Sequence, residues 1–384
     1  MINSLLDDDL YKFTMQQAIL QLYPNAVAEY RFKNRGEHKF NAAFLELFSK
    51  QLQSLKDLRA TDAELKKLAA LPFIKPWYVQ YLRNYRYNPE QVWAGLHANG
   101  DLSLTINGPW HATVLWEVKL MAIISECYFS LQKNWDMQGQ DKRINDKLNM
   151  FRSGMSARET PIKFADFGTR RRRSYATQDL IVKECTARPE LFVGTSNVHL
   201  AFKYGVSPIG TMAHEWVQGI SVLESLNHAN RYMMKKWRQV YGGRLGIALT
   251  DTFGTNGFLE DFNIGYAKLF DGVRHDSGDP ILFMDKIVQH YERLGINPKE
   301  KTIVFSDGLT AQKVCDIVRR CDRIKCSFGI GTHLTNDFDS PALNMVIKLW
   351  MLDGQPVVKL SDTPGKNNGE PGTVKLMKQI YSVQ

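Results

Sequence analysis

The sequence predicts an α/β protein: an irregular α/β barrel preceded by a mostly helical α+β domain. Three observations predict it. After about residue 160 short apolar runs recur, and each closes in Gly, Asp, Thr or His: "KFADFGTR", "LFVGTSN", "SPIGTMAHE", "LGIALTDTFG", "GVRHDSGD", "TIVFSDG" and "IKCSFGIGTH". Helix-like segments separate most of them, as βα units require. No glycine fingerprint follows the first of these strands, as an open doubly wound sheet would want. Polar residues gathered at the C-terminal ends of parallel strands mark the active face of a barrel. The gap between Thr195 and Thr211 is too short for a regular helix, so the barrel is irregular.

Residues 1–150 form the predicted N-terminal domain. "DDDLYKFTMQQAILQLY" places apolar residues at helical spacing behind an acidic start. "AVAEYRFKNR" alternates as a strand does. "LELFSKQLQSLKDL" and "TDAELKKLAAL" read as amphipathic helices, the second opening on a Thr-Asp cap. "LSLTINGPWHATVLWEVKLMAIISECYFSLQ" reads as two strands around a Gly-Pro turn, running into a long buried helix. The barrel domain takes residues 151–384. Near its end "MVIKLWML" and "QPVVKLS" flank Asp353-Gly354, a hairpin signal, and "SDTPGKNNGEPGT" follows as a loop.

Composition bounds the rest. The 384 residues are 44% apolar, enough for one large domain or two moderate ones. No apolar run reaches the roughly 18 residues of a membrane span, and the acidic start lacks the basic region of a secretory signal. A cytoplasmic protein without a membrane partner is expected. Five cysteines without CxxC pairs predict buried or free thiols rather than zinc ligands. A net charge of +9 suits a protein that meets polyanions, either nucleic acid or phosphorylated small molecules. "KKWR" at Lys235 to Arg238 and "YLRNYRY" at Tyr81 to Tyr87 could serve RNA, but solvated or packed faces also look like this. The run Arg170 to Arg173 raises the same choice.

The strand ends gather Phe167, Arg170, Thr195, Ser196, His214, Asp251, Arg274, Asp276, Ser306, Asp307, Gly329 and Gly331. Guanidinium forks and glycine-turn amides suit phosphate. The carboxylates suit sugar hydroxyls or Mg²⁺, and Phe167 offers a flat face to a ring. A ligand with a ribose, phosphates and an aromatic heterocycle fits this inventory. Each residue also has a plainer reading: a lone Asp at a strand end often caps a helix, and His214, His199, His275 or His333 could be core histidines. Co-occurrence at seven strand ends favours the site. There is no GxxxxGK[ST], so ATP, if used, is held without a P-loop. The acidic diphosphosugar motif of the common phosphoribosyltransferase fold is also missing.

The motifs "DLYKFTMQQA", "DFGTRRRRS", "GTSNVHLAFKYG", "GTMAHEW", "TDTFGTNGFL", "GVRHDSGDP", "FSDGL" and "FGIGTHLTND" resemble, in order and spacing, the nicotinate phosphoribosyltransferase family. The resemblance implies a type II phosphoribosyltransferase fold, with the C-terminal hairpin packing back near the N-terminal domain. It implies transfer of phosphoribose from 5-phosphoribosyl 1-diphosphate to nicotinate in NAD synthesis, coupled to ATP with Mg²⁺. It further implies a homodimer in which Tyr11 reaches the partner's active site and stacks on nicotinate opposite Phe167. Arg274 would meet the nicotinate carboxylate and Arg170 the phosphate, with Thr195 and Ser196 beside the pyridine. Asp251 and Asp276 would hold ribose hydroxyls, or Asp251 the Mg²⁺. Asp307, Gly308, Gly329, Gly331 and Thr332 would cradle the 5-phosphate, helped by Lys348 and Lys359. His214 stands where the family carries a phosphohistidine. The nicotinamide-using relative places an acid after the "GT" strand end, where this chain has Ser196, so nicotinate is expected. On this reading Arg171 to Arg173 open a helix and face phosphate or carboxylate partners. No nucleic-acid partner is expected, because no basic module or Cys/His zinc site accompanies the charge.

Overall fold

The computed structural model describes residues 1–132, 137–155, 162–363 and 367–383. Its strands are β1 (Val27–Asn34), β2 (Val92–Leu96), β3 (Leu102–Pro109), β4 (Phe164–Asp166), β5 (Phe192–Thr195), β6 (Ile247–Leu249), β7 (Gly272–His275), β8 (Thr302–Phe305), β9 (Lys325–Ile330), β10 (Met345–Leu352) and β11 (Gln355–Pro356). They form a five-stranded sheet in the order β11-β10-β1-β3-β2 and a six-stranded one in the order β5-β4-β9-β8-β7-β6. From β6 to β9 the pairing is parallel, with Gly272 opposite Ile247 and Thr302. Gly272 is obligatory there, since a Cβ would lie 1.9 Å from the Thr302 carbonyl oxygen. Among the described residues no helix is long and apolar enough to cross a membrane.

The chain divides into two compact units. The first holds residues 1–149, 165–210 and 330–349, and the second holds 150–164, 211–329 and 350–384. These compact units do not follow a single break at residue 150, since the segments after β4 and after β9 go with the N-terminal part. The first unit's core gathers Tyr30, Phe44, Tyr78, Trp110 and Trp116, and the second's gathers Trp216, Trp237 and Tyr291. Two tyrosines of "YLRNYRY" belong to the first core, where Tyr85 and Tyr87 are buried edge to face.

Local sequence explains most elements. Thr61 and Glu64 form a complete capping box on helix Asp62–Ala69. Asp353 and Gly354 both take positive φ, as the β10–β11 hairpin requires. Gly108-Pro109 is not a turn between two strands. It ends β3, Gly108 pairs with Ala28 of β1, and Trp110 starts a short helix. A seven-residue helix, Val198–Tyr204, does fit between Thr195 and Thr211, stopped by Gly205 in the left-handed region. Cys321 and Cys326 are disulfide-bonded, which corrects the expectation of thiols throughout. The tight connection into β9 brings their Cα atoms to 6.4 Å, while Cys127, Cys185 and Cys315 are free and buried.

Arg172 and Arg173 have different environments. Thr169–Arg171 is a 3-10 turn, and the next helix starts only at Tyr175, capped by Ser174. Arg172 is fully buried and bidentate on Asp7, at 2.7 and 2.9 Å. Arg173 lies between the rings of Phe129 and Phe338, 3.6 and 4.0 Å from their centroids. So Arg172 does face a carboxylate, but an internal one, and Arg173 faces neither carboxylate nor phosphate.

The acidic start answers this run. Asp7 also accepts from Asn197, and the buried Lys119 ammonium donates to the Leu5 and Asp7 carbonyls and to Asp8. Arg172 and Lys119 hold the Asp7 carboxyl far below its ordinary range despite burial, whereas burial lifts Asp8 to about 7. A carboxyl raised on folding binds protons that the unfolded chain has released, so its contribution to stability fades as pH rises from about 4 to 7. Replacing Asp8 with Asn should therefore flatten the loss of melting temperature across that window. An unchanged pH profile of melting would contradict this account of Asp8.

Candidate functional site

In the first unit, the end of β5 and the start of helix Leu10–Leu22 are bound together. The Leu10 amide donates to the Ser196 carbonyl at 2.7 Å, and Ser196 Oγ donates to the Asp9 carboxylate at 2.6 Å. Asp9 is the helix N-cap yet does not cap it, because its carboxylate is turned to Ser196. Beneath lies Asp166, which accepts from Thr195 Oγ1, Gln178 and the Gly168 amide, and whose carboxyl burial lifts to about 6. This network fixes the backbone on either side of Phe167, whose own amide pairs with the Ile330 carbonyl. Gly331 admits that close approach, since a Cβ there would lie 3.2 Å from the Phe167 carbonyl oxygen.

Beside it is a cationic group. Glu117 accepts from Lys12 at 2.6 Å and lies 3.5 Å from Arg170. Burial alone would raise its carboxyl, but Lys12, Lys348 and Arg170 hold it down at about 2. Arg35 is close enough to Arg170 that burial and this like charge both depress its guanidinium. Lys12, Arg35 and Glu117 were missed in the sequence. They sit in helical or strand patterns with no glycine turn or strand end to single them out.

Tyr11 and Ser196 both have internal neighbours here. Tyr11 shares the first unit with Arg170 and Glu117 of its own chain. Burial pushes its phenol well above the ordinary range, against the pull of Arg170. The helix that carries it is anchored at the end of β5 through the Leu10 amide. Ser196 does not present an idle hydroxyl to a ligand, because Asp9 already accepts its proton.

The second unit holds the titratable cluster. His214 opens helix His214–Leu223, and its Nε2 lies 2.8 Å from Asp251 Oδ1 and 3.7 Å from Asp276 Oδ2. Asp251 Oδ2 takes Ser277 Oγ at 2.6 Å and Lys359 Nζ at 2.9 Å. Arg274 reaches Asp276 at 3.2 Å and the Met212 carbonyl at 3.3 Å, and Ser306 Oγ donates to Asp276 at 2.6 Å. Gly308 takes φ of 54° in the turn after β8, and Lys313 caps its carbonyl. Gly329 lies within β9, and Thr332 starts the short turn of helix after Gly331.

Electrostatics assign roles. Lys359 and His214 hold the Asp251 carboxyl far below its usual range, and Arg274 and His214 hold Asp276 at about 2, both against burial. Burial and then Lys359 push His214 down to about 4, against Asp251 and Asp276. The imidazole is thus neutral at physiological pH, with its proton on Nε2 donated to Asp251. That tautomer leaves the Nδ1 lone pair for nucleophilic attack.

His214, Asp251 and Asp276 can bring one ligand atom each within 4.8 Å of one another, so a cation site was tested on this set. The fit to Mg²⁺ is poor. Mg²⁺ wants oxygen ligands in octahedral array, and both oxygens of Asp251 are already engaged, one by a fixed ammonium. As it stands, the Asp251 carboxylate holds the imidazole.

A profile of the nicotinate phosphoribosyltransferase (NAPRTase) family matches residues 162–384, and one of that family's N-terminal domain matches residues 6–125. The chain belongs to this family. It is 45% identical to the nicotinate phosphoribosyltransferase of Methanosarcina mazei, over 99% of this chain and 98% of that one. To that of Chromohalobacter salexigens it is 42% identical, over 100% and 99%. The crystal structure of the Porphyromonas gingivalis nicotinate phosphoribosyltransferase superposes with a TM-score of 0.95 at 38% identity, covering all of both chains. A putative nicotinate phosphoribosyltransferase from Saccharomyces cerevisiae gives 0.93 at 36%, covering 100% and 99%. The α/β architecture with its parallel sheet is therefore the type II phosphoribosyltransferase fold.

Within this NAPRTase framework the His214 pair predicts an unusual pH profile. A free histidine stops being nucleophilic as it protonates near pH 6.5. Here the folded pKa is depressed, so any reaction at Nδ1 should persist to about pH 5 and fail only toward pH 4. Removing the Lys359 charge with Lys359→Met should move that limb upward. An acid limb at pH 6.5 in the wild-type protein would refute the neutral-imidazole assignment.

Proposed function

We propose that His214 couples ATP hydrolysis to phosphoribosyl transfer in this protein. The transfer is the activity of its family: nicotinate and 5-phosphoribosyl 1-diphosphate give nicotinate mononucleotide and diphosphate, a step of NAD synthesis. Family membership over nearly the whole chain carries the transfer. The bond between His214 Nε2 and Asp251 supports the coupling.

The coupling step follows from the tautomer. Nδ1 of His214 attacks the γ-phosphorus of ATP, the N–P bond forms as the bond to the β,γ-bridging oxygen breaks, and ADP leaves with that electron pair. Asp251 keeps the Nε2 proton and stabilises the positive charge that grows on the ring. Lys359 lies within reach of the arriving phosphoryl charge. Water later takes the phosphoryl group from nitrogen, giving phosphate and restoring the imidazole. No step is routed through Mg²⁺, which would enter only on ATP or the diphosphosugar.

For the transfer itself, the pyridine nitrogen attacks C1 of the ribose as diphosphate departs. Phe167 stacks on the pyridine and Tyr11 takes its other face. Arg170, with Arg35, Lys348 and Lys12 around it, receives anionic oxygens. Asp276 holds ribose hydroxyls, and the turns at Asp307–Gly308 and Gly329–Thr332 take the 5-phosphate through backbone amides. Arg274 meets the nicotinate carboxylate. Because Asp9 occupies the Ser196 hydroxyl, discrimination against nicotinamide falls to the arginine. The protein works as a cytoplasmic homodimer.

Nicotinate should be favoured over nicotinamide by more than about tenfold in diphosphate release, since only the carboxylate gives the Arg274 guanidinium a charge-assisted pair. Arg274→Lys should erode that preference, because a point charge does not reproduce the fork. Equal rates with the two pyridines would rule this out. Incubation with γ-labelled ATP should place acid-labile, base-stable label on the wild-type chain. His214→Ala should take up none, yet keep slow ATP-independent transfer. Undiminished label on His214→Ala would name another acceptor. Mixing Tyr11→Ala with Arg274→Ala chains tests sharing between subunits: regained activity after proven exchange supports shared sites, and its absence shows that each chain serves itself.

A further inference from the structure

Each carboxylate of the His214 cluster shows the imidazole one oxygen and has the other held by a serine and a cation. On Asp251, Ser277 and Lys359 hold Oδ2 at 2.6 and 2.9 Å, and Oδ1 is left to His214. On Asp276, Ser306 and Arg274 hold Oδ1 at 2.6 and 3.2 Å, and Oδ2 is left 3.7 Å from His214. The two serines differ in how their single proton is committed. Ser306 Oγ lies 3.1 Å from the His275 carbonyl as well as beside Asp276, so its proton has two acceptors. Ser277 Oγ accepts the Asp362 amide at 3.1 Å, and Asp251 is its one acceptor among the described residues. A backbone N–H only donates and an ionised carboxylate only accepts, so the Ser277 proton points at Asp251 and nowhere else.

The amide that orients Ser277 is itself fixed. Leu360 donates its amide to the Thr252 carbonyl at 2.8 Å, and the Asp362 carboxylate accepts the Thr255 amide at 2.8 Å together with Thr255 Oγ1. Gly278, next to Ser277, donates its amide to Thr363 Oγ1 at 3.3 Å. The segment from Lys359 to Thr363 thus ties the loop after β6, which carries Asp251, to the loop after β7, which carries Asp276 and Ser277. Ser277 and Asp251 are both buried, so bulk water does not compete for the hydroxyl proton.

Orientation matters because the bond made by one imidazole nitrogen sets the state of the other. A carboxylate aimed at Nε2 keeps the proton there and leaves Nδ1 bare. Lys359 alone does not fix that aim, because an ammonium is a point charge on a flexible stem. We propose that Ser277 is a positioning residue: its hydroxyl locks the Asp251 carboxylate with Oδ1 toward His214 Nε2, and so selects the tautomer whose Nδ1 is free. Ser277 acts through Asp251 and not on the reacting atoms. Its consequence for phosphoryl transfer rests on the coupling proposed above.

Nitrogen-15 NMR of the histidine-labelled full chain, without nucleotide, tests this on wild type, Ser277→Ala and Ser306→Ala, with the His214 signals identified by their loss in His214→Ala. The wild type should show Nε2 protonated and Nδ1 bare. Ser277→Ala, which removes a single oxygen, should bring in the Nδ1–H tautomer, whereas Ser306→Ala should keep the wild-type signals. With γ-labelled ATP, Ser277→Ala should label His214 about tenfold more slowly, the effect of losing a hydrogen bond to a charged group, with little change in the KM for ATP. A wild-type tautomer in Ser277→Ala overturns the assignment. An equal change in Ser306→Ala overturns it too, since the effect would then be a general loosening of the cluster. Absence of label on the wild-type chain would defeat the coupling and not the role of Ser277, because the tautomer is read without ATP.

Discussion

The Asp7–Arg172 pair is the constraint from which the first unit is built. Both side chains are fully buried, and Gln178, Asn197 and the Met1 carbonyl add hydrogen bonds to them, although Arg172 Nε has no partner. Such a pair adds little net stability over an apolar core, but removing one member strands a charge and costs about 3–5 kcal/mol. Its value here is register. With Asp7 fixed, Asp8 must meet Lys119 and Asp9 must meet Ser196, and Tyr11 is then delivered beside Arg170. Three consecutive acids thereby lock the N-terminal segment to the β4 and β5 ends that present Phe167.

The second unit solves a related problem with the opposite purpose. The first unit uses its buried charges up, whereas the second leaves one atom unspent. Lys359, Ser277 and His214 satisfy Asp251, and Arg274 and Ser306 engage Asp276, so the carboxylates stay ionised. His214 stays neutral with Nδ1 free of any hydrogen bond among the described residues. A conventional protonated histidine would close that route, because both nitrogens would be donors.

Sequence reasoning reached the α/β class, the parallel run β6 to β9 and the hairpin at Asp353-Gly354, because each rests on local pattern. It reached His214, Asp251, Asp276 and Arg274 because strand ends are readable and the motifs resemble a family. Partners were not readable. That Arg172 would go to Asp7, 165 residues earlier, or Arg173 between Phe129 and Phe338, depends on tertiary packing that no window reveals. Ser196 illustrates the limit well: its position was identified, but not that its hydroxyl donates to Asp9 of the N-terminal run. His275 was noted as a strand-end histidine, and only the packing shows that it lies between Phe283 and Phe305.

The claim that one buried pair positions Phe167 and Tyr11, proposed above to hold the pyridine, is tested most directly by a double-mutant cycle on Asp7 and Arg172, read both as unfolding free energy and as nicotinate affinity. With Asp7→Asn, Arg172→Met and the double variant, each single change should destabilise the protein by about 3–5 kcal/mol and weaken nicotinate. The double variant should lose less stability than the sum, because no charge is stranded, while nicotinate affinity stays low, because the register is lost in all three. Additive stability losses, or wild-type nicotinate affinity in the double variant, would contradict the account.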